Sequence, residues 1–273
     1  MSAVSQGQTA TTKRLVLVGA GRMGGAVLQG ALAAKLLAAS EVAIYHPNER
    51  RGNELAERYG VAFVDDDGLH GSKHVLLAVK PQSFVRVAPL IAQRDASFIS
   101  LMAGVSATSI AKRVGSKRVI RAMPNLGASL GVSATALTAL PEATAEDVAM
   151  ARGLFGAVGT VYDVREELFD AFTGMAGSGP AYAAVMADAL ADGGVRVGLD
   201  RRLARDLARQ VLLATARLLE TRHASELKDE VSSAGGTAIA GVRTLERHGL
   251  RFALIDAVEE ATRRAGELSQ EDR

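Results

Sequence analysis

The chain has no cysteine and no tryptophan, and only 4% of its residues are aromatic. Without cysteine there is no disulfide, no thiolate nucleophile and no cysteine metal centre, which fits an intracellular, cytoplasmic enzyme better than a secreted module. So few aromatic rings leave few platforms for base stacking. Basic runs are also missing: the sequence pI is near 9.0, yet 32 basic and 30 acidic residues nearly cancel to +2. Both shortages argue against nucleic-acid binding. The most apolar later stretch, 181–187, is broken by Asp188 and Asp192 well short of a membrane span, so a soluble protein is expected. Residues 1–12 are small and polar with no basic start and no apolar centre, and read as a disordered tail rather than a signal peptide or anchor. Metal-binding patterns are poor. His70 and His74 have the spacing of a helical ligand pair, but Gly71 intervenes and His74 opens an apolar run; Asp65, Asp66 and Asp67 read as a solvated turn and helix cap. No catalytic metal is expected.

What is present begins with RLVLVGAGRMGG at 14–25. A short apolar run, fit for a buried parallel strand, leads into Gly19, Gly21 and Gly24 in the spacing G-x-G-x-x-G. In a dinucleotide-binding turn the first glycine permits the tight bend, the second lets backbone approach a pyrophosphate, and the third lets the helix pack on the strand. The free N–H groups of that helix would face phosphate. Taken alone, the motif is weak, a glycine-rich turn with no ligand being the alternative.

The following residues strengthen the first reading. Strands are expected at 41–45, 61–64, 74–79, 97–101, 119–123, 132–137 and 160–163, with helices at 22–38, at 49–59 and at 144–155. This alternation predicts a doubly wound, Rossmann-type sheet. The second strand ends about 20 residues past the glycines, where a chain that selects NAD carries an acid on the ribose hydroxyl. This sequence has His46, Pro47, Asn48, Glu49, Arg50 and Arg51, which suit a 2'-phosphate and hence NADPH, with NADH still possible. The same residues could simply open an exposed helix. Lys80, before Pro81, falls at a carboxyl strand end and so faces the ligand crevice; Ala103 and Gly104 leave room for a flat ring against backbone; Pro124 and Asn125 close the sixth strand.

From Glu166 strand signals vanish. Helices are expected at 169–176, 180–197, 201–221, 225–231, 238–248 and 251–268, giving a cofactor domain at 13–165 and a helical domain at 166–273. The alanine-dense helix at 180–197 permits close helix approach and suits burial against another copy, a monomeric bundle being the alternative. Two glycine turns could meet substrate. Gly177-Ser178-Gly179-Pro180 is explained by capping alone. Ser232-Ser233-Ala234-Gly235-Gly236-Thr237 could form a nest for a carboxylate or an ordinary interhelix turn.

With these motifs in place, the chain from about 14 to 268 closely resembles the pyrroline-5-carboxylate reductase family. The resemblance is carried by GAGRMG at 19–24, AVKP at 78–81, AGV at 103–105, MPN at 123–125, GSGPAY at 177–182, LADGGVRVGL at 190–199, LKDEVSS at 227–233 and GGT at 235–237. It implies reduction of a cyclic imine to proline by a nicotinamide cofactor, and a helical domain that dimerises, often with dimers assembled into rings. The cofactor would lie on Gly19, Gly21, Arg22, Met23, Gly24, His46, Asn48, Arg50, Ala78, Val79, Lys80 and Pro81. Its nicotinamide would meet Ala103, Gly104, Pro124 and Asn125. Substrate carboxylate would be held by Ser233, Gly235, Gly236 and Thr237.

The chain departs from that pattern in five places, one of them Ala224, where a proline is expected before LKD and the change affects loop rigidity rather than chemistry. Leu126 and Gly127 replace the threonine and proline of M-P-N-T-P, which implies a looser nicotinamide edge. Ala234 and Ala238 stand where the family has proline and a second threonine, the latter expected to bond the ring nitrogen. Thr237 and solvent are the remaining donors at that catalytic position, and no His, Lys or carboxylate in the loop offers a proton. Other readings stay open: a reductase of other cyclic imines such as pyrroline-2-carboxylate, or a non-catalytic NADP(H)-binding sensor. A β-hydroxyacid dehydrogenase fits poorly, because the helix after Gly174–Gly179 has no lysine.

Overall fold

The structure, a computed structural model, describes residues 13–66, 68, 69, 71–92 and 95–271. The expected tail at 1–12, Asp67 and His70 lie outside the described residues. The chain forms two compact units, one comprising the residues up to Gly177 and those from Thr262 onward, the other Ser178–Ala261.

The first unit is built on an eight-stranded sheet in the order β3-β2-β1-β4-β5-β6-β7-β8. Its strands are β1 (Leu15–Val18), β2 (Val42–Tyr45), β3 (Ala62–Val64), β4 (His74–Leu77), β5 (Ser97–Ser100), β6 (Val119–Met123), β7 (Ser133–Ala139) and β8 (Gly159–Asp163). All neighbours are parallel except β6 and β7. The helices are α1 (Arg22–Ala33), α2 (Glu49–Tyr59), α3 (Pro81–Ile91), α4 (Ala107–Val114) and α5 (Ala145–Gly156). One core lies on the face carrying Leu15, Leu17, Ile44 and Leu76, under α1 and α5; the other lies under α3 and α4, on the face carrying Val16, Val18, Val75 and Phe98. Strands covered on both faces read as unbroken apolar runs, which is why β1, β2 and β4 were legible.

Several ends differ from expectation. Helix α1 stops at Ala33 rather than 38, because Lys35 takes a left-handed φ of 56° and Leu36 N–H turns back to Ala31 O. β4 stops at Leu77: Ala78 N–H still reaches Val18 O at 2.8 Å, but the chain then turns so that Pro81 can open α3.

At the amino edge of the sheet lies a buried polar group. His74 Nδ1 is 2.7 Å from Ser97 Oγ and 3.6 Å from Asp147 Oδ1, and Asp147 accepts bonds of 2.9 and 2.7 Å from Arg118. Burial opposes the Asp147 carboxylate, yet the bonds from Arg118 and Thr144 outweigh it and hold its pKa well below the usual carboxylate range. Burial also holds the His74 pKa below its ordinary value, against the pull of Asp147. His74 is thus a core histidine bonded to a serine. Among the described residues no group of three or more metal-ligating side chains is assembled.

The segment leading out of this unit is α6 (Phe169–Phe172), followed by a wide π-type turn at Thr173–Gly177. The second unit contains α7 (Gly179–Arg196), α8 (Arg201–Leu218), α9 (Ala224–Glu230) and α10 (Thr237–Arg247), and the chain continues into α11 (Leu250–Glu271). Small residues make the α7–α8 seam: Ala191, Ala204 and Ala208 are buried together, and a Cβ on Gly194 would stand 3.1 Å from that of Ala204. No described helix is long and apolar enough to cross a membrane.

Candidate active site

The glycine turn is shaped by close contacts. Gly19 has φ of 90°, and a Cβ there would lie 2.7 Å from Val79 Cγ1 and 2.8 Å from Ala78 O. A Cβ on Gly24 would lie 2.7 Å from both Ala78 Cβ and Gly19 O. Both positions are therefore closed to a side chain by the β4 crossover at Ala78 and Val79. Gly21 is different. It is the N-cap of α1, has no side-chain cap, and a Cβ there would meet no described atom within 4 Å. Open space above uncapped helix N–H groups, with no acid in the first turn and Arg22 beside it, suits an approaching pyrophosphate. The residues present fit a dinucleotide.

At the end of β2, Tyr45 donates to Asp66 Oδ1 at 2.7 Å, and burial together with that carboxylate pushes the phenol above its usual pKa. Asp66 accepts that bond from an exposed turn, in which Asp65 Oδ1 also accepts from Gly68 N–H at 2.9 Å. Asn48 caps α2 by accepting from Arg51 N–H at 2.9 Å, and its own N–H donates to His46 Nδ1 at 3.0 Å. Arg50 and Arg51 both open the exposed helix and pair with Glu54, at 3.2 and 3.0 Å. They diverge in placement: the Arg50 side chain is 90% exposed, whereas Arg51 lines a cavity of about 430 Å³ with Gly21, Arg22, Met23, Tyr59 and Leu126. Spacing offered both arginines and the family resemblance named Arg50; the placement of Arg51 beside the glycine turn follows from helix rotation, which α2's periodicity could have disclosed. Lys80 is the N-cap of α3, with Pro81 in the first turn.

The segments after β5 and β6 are tightly held. Gly104 has φ of 76°, and a Cβ there would come within 3.3 Å of Ser269 Cα on α11, so backbone approach and the left-handed turn require its smallness. Asn125 donates through Nδ2 to Ala176 O at 2.9 Å and accepts from Gly127 N–H at 3.0 Å, tying the end of β6 to the π-type turn. Pro124 precedes it directly at the strand end.

In the second unit, Ser232–Gly236 form a turn closed by Gly236 N–H on Ser233 O at 3.0 Å, with Gly235 at φ of 67°. Gly236 is the N-cap of α10 and bears no side-chain cap; the Ser233 hydroxyl fills the space where its Cβ would be, at 2.3 Å. Thr237 is exposed on the first helical turn and Ala238 half-buried beside it. Ser232, at the start of this turn, has a buried Oγ with no partner among the described residues.

Comparison with known proteins draws these halves together. Residues 14–104 match a family model described as NADP oxidoreductase, coenzyme F420-dependent, and residues 166–268 one described as pyrroline-5-carboxylate reductase dimerisation. A pyrroline-5-carboxylate reductase of Thermus thermophilus is 49% identical over 260 residues, covering 95% of this chain and 100% of the relative. The chain belongs to the pyrroline-5-carboxylate reductase family. Solved structures agree: a pyrroline-5-carboxylate reductase from Coxiella burnetii superposes with a TM-score of 0.86 at 29% identity, covering 94% of this chain and 99% of that one. One from Streptococcus pyogenes gives 0.82 at 32% identity, with coverage of 93% and 98%.

Within the pyrroline-5-carboxylate reductase family, the departure at Gly127 has a physical counterpart. Its N–H is used by Asn125, which a proline could not supply, and a Cβ there would lie 2.7 Å from Val132 O. Residues Leu126–Leu130 form a hydrogen-bonded 3-10 turn capped by Asn125.

Proposed function

We propose that this chain reduces pyrroline-5-carboxylate to proline, taking NADPH in preference to NADH, and that it works as a homodimer that can assemble into a ring of dimers. The observation that carries the reading is the 49% identity, over the whole length of the relative, to a protein named for that activity. The open, uncapped start of α1 supports a bound dinucleotide, which would supply the hydride. Backbone N–H groups of Arg22, Met23 and Gly24 would hold the pyrophosphate, and Arg51, with Arg50 and Asn48, a 2'-phosphate. Ala78, Val79, Lys80, Pro81, Ala103, Gly104, Pro124 and Asn125 would border the rest of the cofactor.

Ser233 and the N–H groups of Gly235 and Thr237 would hold the substrate carboxylate at the start of α10, with Gly236, whose own N–H closes the turn on Ser233 O, shaping the site. Hydride adds to the ring carbon of the C=N bond while the nitrogen takes a proton, leaving the secondary amine of proline. The carboxylate loop has no titratable side chain, so the proton arrives on the substrate as iminium or through water, with the Thr237 hydroxyl as the nearby donor.

A second reading is favoured by one observation: the half-buried methyl of Ala238 occupies the position of the family's ring-nitrogen donor, which relaxes the demand for one particular imine. NADPH oxidation by the purified protein should be measured with pyrroline-5-carboxylate, pyrroline-2-carboxylate and an uncharged pyrroline, and repeated with NADH. Strong preference for the first substrate is expected. Turnover mainly on another imine would replace the proposal with a wider imine reductase, and cofactor binding without turnover would replace it with a sensor.

A further inference from the structure

The β5–α4 segment, proposed above to border the nicotinamide, is gripped by a charged pair, a buried arginine and a half-buried glutamate, that none of the motifs contains. Arg121 stands on β6 with its side chain 8% exposed. Its Nη1 donates to Glu166 Oε1 at 3.2 Å, its guanidinium lies 4.5 Å above the Phe169 ring, and its Nε is buried with no partner among the described residues. The same Glu166 oxygen accepts from Ala107 N–H at 2.7 Å, the first residue of α4. Three residues earlier, Gly104 is backed by α11 at Leu268 and Ser269, and Ser269 Oγ donates to Asp170 at 3.1 Å. The segment is thus fixed at both ends, by a carboxylate at the start of α4 and by backbone behind Gly104.

A buried guanidinium is costly to place, and helix α4 already has an ordinary cap in Ser106, whose side chain accepts from Ser109 N–H at 3.1 Å. The additional carboxylate from Glu166 therefore supplies position rather than merely completing a cap. We infer that Arg121 is a positioning residue: by holding Glu166 on Ala107 N–H it sets Ala103 and Gly104 at the height at which a nicotinamide ring is oriented for hydride transfer. The inference rests on the proposed role of these two residues. Burial lowers the Arg121 pKa, with Glu166 opposing, so the pair is held by geometry and charge together.

The test compares the full-length protein with Glu166→Ala, Glu166→Gln and Arg121→Lys by amide hydrogen exchange without cofactor, NADPH titration, and steady-state kinetics. Glu166→Ala should speed exchange of the 103–108 segment by about tenfold while β5 and β6 keep their protection. It should lower kcat by about tenfold and shift the NADPH dissociation constant by less than about threefold, because phosphate contacts are untouched. Glu166→Gln, which retains an acceptor for Ala107 N–H, should recover most of both effects, and Arg121→Lys should fall between them. Unchanged exchange at 103–108, protection lost equally across the sheet, or a normal kcat in a loosened variant would each overturn the inference. Should Glu166→Ala fail to fold, the other two variants carry the same comparison. No imine turnover by the unaltered protein would overturn the proposed reaction instead, and the exchange data would still decide on the clamp.

Discussion

The two units solve the burial problem in opposite ways. Every residue of β1, β2, β4 and β5 is buried, and both faces of the sheet are covered by aliphatic and aromatic side chains from the same chain. In Ser178–Ala261 the buried apolar residues are Ala191, Ala204, Ala208 and Leu227, while Leu203, Leu207, Val211 and Leu218 form an exposed stripe along α8. Their spacing of four and seven puts them on one helix face. A seam of alanine joins two helices closely but removes little apolar area from water, and burial is worth only about 25 cal/mol per Å². The sheet unit therefore carries its own core, whereas the helical unit needs apolar surface from elsewhere, as expected of a segment matching a dimerisation family.

The comparison is broken most severely by Arg118→Met. It leaves the Asp147 carboxylate, whose side chain is fully buried, without its bidentate partner. A loss of about 3–5 kcal/mol is expected, read by denaturant unfolding and independent of protein concentration. Because Asp147 has its pKa lowered in the fold, the unfolded chain takes up its proton first. Its stabilisation is full above the unfolded pKa of about 3.9 and fades as pH falls further toward the lower folded value. Asp147→Asn should flatten the stability profile in that acid range; a parallel profile would remove this account.

Leu207→Glu tests the other side. In a single chain it adds charge to an already exposed position and should change stability by less than about 0.5 kcal/mol. With a second copy covering α8, it should raise the dimer dissociation constant by about a hundredfold, near 2.7 kcal/mol, measured by sedimentation equilibrium. Unchanged self-association would show that the stripe is covered by something else.

Ala238→Thr has the smallest expected effect and leaves both folds alone. Restoring a hydroxyl beside Thr237 should raise kcat/KM for pyrroline-5-carboxylate by about tenfold, near 1.4 kcal/mol. An equal or lower value would place the ring-nitrogen donor elsewhere.

What could be read from residues alone follows the same division. The doubly wound sheet was legible because its strands are apolar runs punctuated by glycine and proline, and Gly19 and Gly24 because their spacing encodes a contact between neighbouring elements. Gly127, Arg121 and Glu166 carried no local pattern. Their roles depend on Val132 O, Phe169 and Ala107 N–H, partners that only folding brings near. The pairing of Arg51 rather than Arg50 with the cavity was hidden for a milder reason: neighbouring residues on a helix face directions about 100° apart.

The chain leaves the first unit at Gly177 and rejoins it at Thr262. During synthesis all eight strands emerge before any of Ser178–Ala261, yet the backbone that backs Gly104 is supplied by Leu268 and Ser269. A nascent or prematurely terminated chain can therefore possess its glycine turn and a complete sheet while lacking the brace behind the segment after β5. The brace behind Gly104 is thus among the last parts of the first unit to be synthesised, and this unit is completed only after the whole helical unit has been made.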